Sequence, residues 1–205
     1  MAARLLYPRP RDLEAVSVKL ESKGFPRAFW LYLLAVALVA AGYADFPLIA
    51  YHFKKVSVAS DNWIPIFYAV AMGVDALAAL LFGRLFDRVG ISILILVAFL
   101  SSLFAPLVFL GNFYFALLGM ALWGIGMGAQ ESIMRAAVAE MVPADKRGTA
   151  YGTFNLGYGV FWFLGSALMG FLYDTSISSL ILFSVVMQLA SVPLFILTKK
   201  ELKTT

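Results

Sequence analysis

The sequence predicts an all-α membrane protein whose six transmembrane helices form two inverted three-helix repeats. Composition points there first: 62% of residues are hydrophobic and 14% charged, with a mean hydropathy of +0.87. That is far above the roughly 45–50% apolar content of soluble domains, so the bilayer must serve as part of the solvent. The apolar residues also gather into six membrane-length segments, near 28–53, 63–82, 91–110, 113–141, 148–173 and 177–198. Finally, the basic residues fall almost wholly on one side of such an array.

Each segment can cross a ~30 Å hydrocarbon core as a helix rising ~1.5 Å per residue. Helix is the expected form because a spanning segment must satisfy its own backbone, and these runs lack the alternation of barrel strands. Residues 1–27 precede the first span. They lack the continuous apolar stretch of a signal peptide, and Pro8, Pro10 and Pro26 interrupt them. Leu13, Val16 and Leu20 share a helical face among Asp12, Glu14, Lys19 and Glu21, which fits either a short helix on the membrane surface or a linker.

The first span carries Gly42, Asp45 and Pro47, and a kink is expected at the proline. The second holds Gly73 and, midway, Asp75. The third has neither charge nor glycine, and the turn Gly111-Asn112 leads into a fourth span rich in glycine that ends in Gln130 and Glu131. Glycines recur through the fifth, where Gly148-x-x-x-Gly152 and Ser166-x-x-x-Gly170 are close-packing signals. Asp174-Thr175-Ser176 turns into a sixth span that again lacks charge and glycine. Residues 28–199 thus form the membrane domain and 200–205 a short tail.

Six spans place both termini on one side. That side receives all but two of the 16 Lys and Arg, the exceptions being Lys54 and Lys55. The bias predicts cytoplasmic termini and accounts for the pI near 9.3 without any nucleic-acid partner.

The repeat appears in the letters. "GRLFD" at 83–87 stands over "GFLYD" at 170–174, and "ISILIL" at 91–96 over "ISSLIL" at 177–182. The spans also run polar, polar, greasy, then polar, polar, greasy. Because three is odd, the second triplet is inverted relative to the first. Inverted three-helix repeats build many secondary transporters, with sites near mid-membrane; the greasy spans are then expected to face lipid.

The tract Gly83-Arg84-Leu85-Phe86-Asp87-Arg88-Val89-Gly90 resembles the signature loop of the major facilitator superfamily, with Ile91-Ser92 where that pattern has a basic pair. "VPADKRGTAYGTFNLGYG" at 142–159 resembles the family's tenth-to-eleventh connection and the helix after it, and "RLLYPRPRDLE" resembles the end of its central linker. The resemblance implies the C-terminal six-helix half of a transporter that normally has twelve helices, so one copy holds half a substrate site. It also implies a cytoplasmic latch of Gly83, Asp87, Arg88 and Gly90, with Arg135 as a candidate partner for Asp87. Asp87 is read as lying near a helix N-terminus, where the macrodipole favours an acid.

An Asp at a helix centre costs ~2.5–3.5 kcal/mol on insertion scales, so Asp75 and Asp45 are candidates for substrate binding or proton coupling. The alternative is a structural bond to a neighbouring hydroxyl or amide such as Asn155. Glu131 stands four residues before Arg135, the spacing of a structural ion pair. Tyr158 and Trp162, one turn apart, together with Trp123, are candidates to line a cavity. Trp30, Tyr32 and Trp63 read as interfacial anchors, and His52 as an interfacial histidine.

Zero cysteines exclude disulfides and thiolate sites, and a single histidine leaves no HExxH pair and no base for a triad. No metal or cofactor is expected, nor an enzyme, and no filter-like loop suggests a channel. The sequence reads as a half-size secondary transporter in a prokaryotic inner membrane. It moves a small solute by alternating access after pairing with a second six-helix half, from another copy or a separate chain, with proton coupling if Asp75 or Asp45 titrates. The rival is a truncated or regulatory membrane module that keeps the fold without transport.

Overall fold

A computed structural model describes residues 24–204; the surface helix or linker read at the N-terminus lies almost wholly outside the described residues. Six candidate membrane spans of 19 to 32 residues are present. The described residues are helical or turn, with no strand among them.

Three of the six spans are interrupted. The first comprises α1 (Arg27–Ala41) and α2 (Phe46–Lys55). The break falls where the kink is expected, with Gly42 ending α1 and Pro47 in the first turn of α2, where its missing N–H costs nothing. The second span is the continuous α3 (Trp63–Val89). The third comprises α4 (Ser92–Ser101) and α5 (Phe104–Leu110). The fourth comprises α6 (Phe113–Glu131) and α7 (Ile133–Met141), broken at Ser132, whose hydroxyl donates back to the Gly128 carbonyl. A short 3₁₀ turn, Ala144–Lys146, leads into α8 (Arg147–Thr175), and α9 (Ile177–Thr204) continues past Lys199.

The tract read as a signature loop is mostly helix. α3 continues through Gly83, Asp87 and Arg88 to Val89, because one glycine costs only about 1 kcal/mol in a helix and nothing else there breaks it. The turn is made by Gly90 and Ile91, with Gly90 at φ 59°, a left-handed conformation open to glycine. Asp87 therefore sits in the last turn of a helix, not near an N-terminus, and the macrodipole there disfavours an acid.

The packing obeys the repeat. α3 packs on α6 while α8 packs on α1; α9 packs on α1 while α5 packs on α6; and α4 meets α9. Exchanging spans one to three with spans four to six maps this set of neighbours onto itself. The α3–α6 crossing uses small residues. A Cβ on Gly124 would collide with the Ala71 carbonyl, and one on Gly128 would lie 2.6 Å from the Asp75 carbonyl. By contrast Gly148, Gly152 and Gly170 face open space, so the glycines of the close-packing signals read on α8 are not packed against within this chain.

Two apolar clusters fill the bundle. One gathers Phe29, Tyr32, Leu94, Met134, Phe154 and Phe195; the other gathers Tyr43, Phe53, Phe67, Phe104, Met120 and Trp123. Tyr32 is fully buried and donates to the Met134 carbonyl at 2.6 Å, so it is a core residue rather than an interfacial anchor. His52 is likewise buried, with Nδ1 3.1 Å from the Tyr173 hydroxyl and its ring edge-on to Phe109.

In the single chain the greasy spans are more covered than α3 and α8. The most apolar stretch of the third span is 56% buried and that of the sixth 33%, against 17% for both α3 and the span containing α8. Leu77, Leu80 and Leu81 on α3, and Leu156, Phe163 and Phe171 on α8, are exposed.

Candidate functional site

The break in the first span organises the polar interior. Ending α1 at Ala41 and restarting at Phe46 frees backbone groups at membrane depth, a state tolerated only where protein covers them. Three side chains from two other helices do so. Ser184 of α9 donates to the Gly42 carbonyl at 2.6 Å, Gln188 to Val39 at 3.3 Å, and the Trp123 indole of α6 to Ala44 at 2.9 Å. The Tyr43 hydroxyl in turn donates to the Trp123 carbonyl.

Asp45 stands at the N-terminal end of α2, and its carboxylate faces α8. Trp162 Nε1 donates to Oδ1 at 2.5 Å, and the Ser166 hydroxyl donates to Oδ2. Both donors come from one face of α8, because they are spaced by one turn. The same stripe carries Tyr158, whose hydroxyl donates to Gln130 Oε1 at 3.0 Å, and Phe154. Ring centroids lie 6.1 Å apart between Phe154 and Tyr158, 5.4 Å between Tyr158 and Trp162, and 6.0 Å between Trp162 and Tyr43.

Beside this aromatic row lies a cavity of about 210 Å³. Its polar wall is Gln130, Glu131, Arg135, Asn155 and Tyr158; its apolar wall is Met127, Phe154 and Trp162. The geometry thus brings together Tyr158, Trp162, Glu131 and Arg135 among the sequence candidates, with Asp45 behind the Trp162 ring and Trp123 one layer back against Tyr43.

Glu131 and Arg135 share the cavity without forming the expected ion pair: none joins them among the described residues, and Ser132 interrupts the helix between them. Nor does Arg135 pair with Asp87. Asp87 and Arg88 are exposed, and the acid has the Glu140 carboxylate as an electrostatic neighbour.

Asp75 stands apart from the cavity lining. On α3 against the Gly128 crossing, its Oδ1 is buried with no hydrogen-bond partner among the described residues. It does not bond Asn155. No cluster of three or more His, Asp or Glu able to hold a metal occurs among the described residues.

The sequence reading missed Gln130, Ser166 and Tyr43. Gln130 is an uncharged polar residue deep in an apolar span, a signal as direct as Asp75. Ser166 was available as the next turn of the Tyr158–Trp162 face. Tyr43 carried no signal apart from its closeness to the break.

Comparison with known proteins places the chain. The family model for the Major Facilitator Superfamily matches residues 23–205. Uncharacterized proteins of Mycobacterium tuberculosis and Mycobacterium bovis are each 36% identical over 188 residues, covering 89% of this chain and 46% of the relative. The chain spans about half the length of these relatives. It belongs to the Major Facilitator Superfamily and is a multi-pass membrane protein of transporter type.

Proposed function

We propose that this member of the superfamily is one half of a secondary transporter, moving a small solute by alternating access once a second six-helix half covers α3 and α8. The observation that carries the reading is the exposure of those two spans. Both expose apolar side chains, Gly148, Gly152 and Gly170 of α8 face open space, and the cavity is lined by α8 together with α6 and α7. A site built on one half is completed by the other, supplied by a second copy or a separate chain. The mycobacterial relatives, about twice as long, have room for both halves in one chain.

In this reading the protein moves its solute without converting it, from a prokaryotic inner membrane with both termini in the cytoplasm. Asp75, with its unpaired buried oxygen, is the proton-coupling residue. Asp45, held by two donors, fixes the break in the first span against α8. Asp87 and Arg88, at the end of α3, latch the two halves with Gly83 and Gly90 beside them. No nucleic acid enters the scheme.

Native mass spectrometry of the chain in a mild membrane mimetic, over a concentration series, tests the pairing. A two-copy assembly is expected, with solute uptake after reconstitution. A persistent single copy that also ignores a co-expressed second half would sink the reading and favour the non-transporting regulatory module.

A further inference from the structure

We infer that the cavity takes a small organic zwitterion with a flat apolar body, its ammonium group on Glu131 and its carboxylate on Arg135. The inference rests on the transport reading and names the substrate class of that same site.

Few groups on the cavity wall remain free to bind a solute. Tyr158 uses its proton on Gln130 Oε1, and Gln130 Nε2 donates to the Gly126 carbonyl at 3.2 Å. Trp162 gives its only N–H to Asp45. These three residues therefore offer ring faces and shape more than hydrogen bonds. Glu131, Arg135 and Asn155 have no hydrogen-bond or ion-pair partner among the described residues, although all three line the cavity.

Glu131 and Arg135 carry opposite full charges, and the interruption at Ser132 separates them on the chain. Two such charges in one membrane cavity cancel in net charge but not locally. Once a second half covers the cavity, a solute bearing only one charge would leave the other without a partner and away from water, which is unfavourable. A zwitterion answers both, and the arginine's planar fork suits a carboxylate. Phe154, Tyr158 and Trp162 form a continuous row of rings beside these charges, a surface for an aromatic or flat apolar body.

Three probes of nearly equal size separate the possibilities: phenylalanine, phenethylamine, which lacks the carboxylate, and 3-phenylpropionate, which lacks the ammonium group. Binding is read by quenching of tryptophan fluorescence on the assembly as purified, with its copy number measured in the same sample. Phenylalanine is expected to bind at least about tenfold more tightly than either analogue. Glu131→Gln should bring 3-phenylpropionate level with phenylalanine, and Arg135→Gln should do the same for phenethylamine. Both side chains are exposed in the chain, so neither change threatens folding. Equal binding of the three probes, preference for a single-charge probe, or no saturable response overturns the substrate class. If that happens in a two-copy assembly that still takes up solute, the transport reading survives. A phenylalanine preference in a persistent single copy would leave the class standing and the pairing wrong.

Discussion

The indole of Trp162 donates a 2.5 Å hydrogen bond to the Asp45 carboxylate, joining the middle of α8 to the non-helical break in the first span. The break is thus tied to the helix that lines the cavity, so a solute pressing on the Trp162 ring acts on the joint between α1 and α2.

Trp162→Phe removes the donor and keeps most of the ring, while Trp162→Ala also removes the contacts to Tyr43 and Tyr158. The first should cost about 1 kcal/mol and the second about 3–5 kcal/mol. Reversible denaturation in bicelles measures both. Equal losses would show that the hydrogen bond holds the joint and that ring packing adds nothing.

The glycines of the fourth and fifth spans should respond in opposite ways. Gly124→Ala drives a methyl into the Ala71 carbonyl and should destabilise the fold by about 1–3 kcal/mol. Gly152 faces open space, so Gly152→Ala should be neutral or stabilising by up to about 1 kcal/mol in the single chain. Gly152→Leu should keep the fold yet disrupt the proposed two-copy assembly, as read by native mass spectrometry. An intact assembly would remove α8 from the pairing face.

Asp75→Asn replaces a carboxyl whose Oδ1 has no partner among the described residues. Since no bond is lost, stability should change by less than about 1 kcal/mol. If Asp75 carries the coupled proton, its amide cannot, and solute uptake should become indifferent to an imposed proton gradient while solute exchange without a gradient persists. Gradient-driven uptake that survives in Asp75→Asn would transfer the role to another residue or remove proton coupling altogether.

What could be read in advance follows the range of the physics involved. Six spans and their repeat were legible because an apolar run of membrane length has few other uses, and the break near Asp45 because Gly42 and Pro47 flank it. The break at Ser132 was not, since a serine alone does not interrupt a helix and its cause is tertiary. Tyr32 was misread because a tyrosine near a span end suits a membrane interface and a buried core equally well; only the Met134 carbonyl decides it. His52 failed for the same reason, since Tyr173 is its partner from another span. Tyr158 and Trp162 were legible as one turn of one helix face. The opposite charges of Glu131 and Arg135 were seen, but their separation depends on a break that the sequence pattern hides.

The last turn of α3 sets Asp87 among mixed charges, with Arg84 one turn before it and Arg88 beside it. Asp87 lies where the helix macrodipole is negative, and Glu140 adds a like charge nearby. Removing the charge should therefore leave the isolated chain unchanged or stabilise it by about 0.3–1 kcal/mol. If a second half pairs here as proposed, a cation it supplies would meet the carboxylates of Asp87 and Glu140. Asp87→Asn should then loosen the basic end of the assembly and shift the two access states relative to each other by about fivefold or more. The chain has no cysteine, so a single Asn155→Cys in the cavity wall reports access cleanly. Its labelling by a membrane-impermeant maleimide, from each side in turn, should change in ratio when Asp87→Asn is added. An unchanged ratio, with thermal stability also unchanged, would reduce Asp87 to a solvated residue at a helix end.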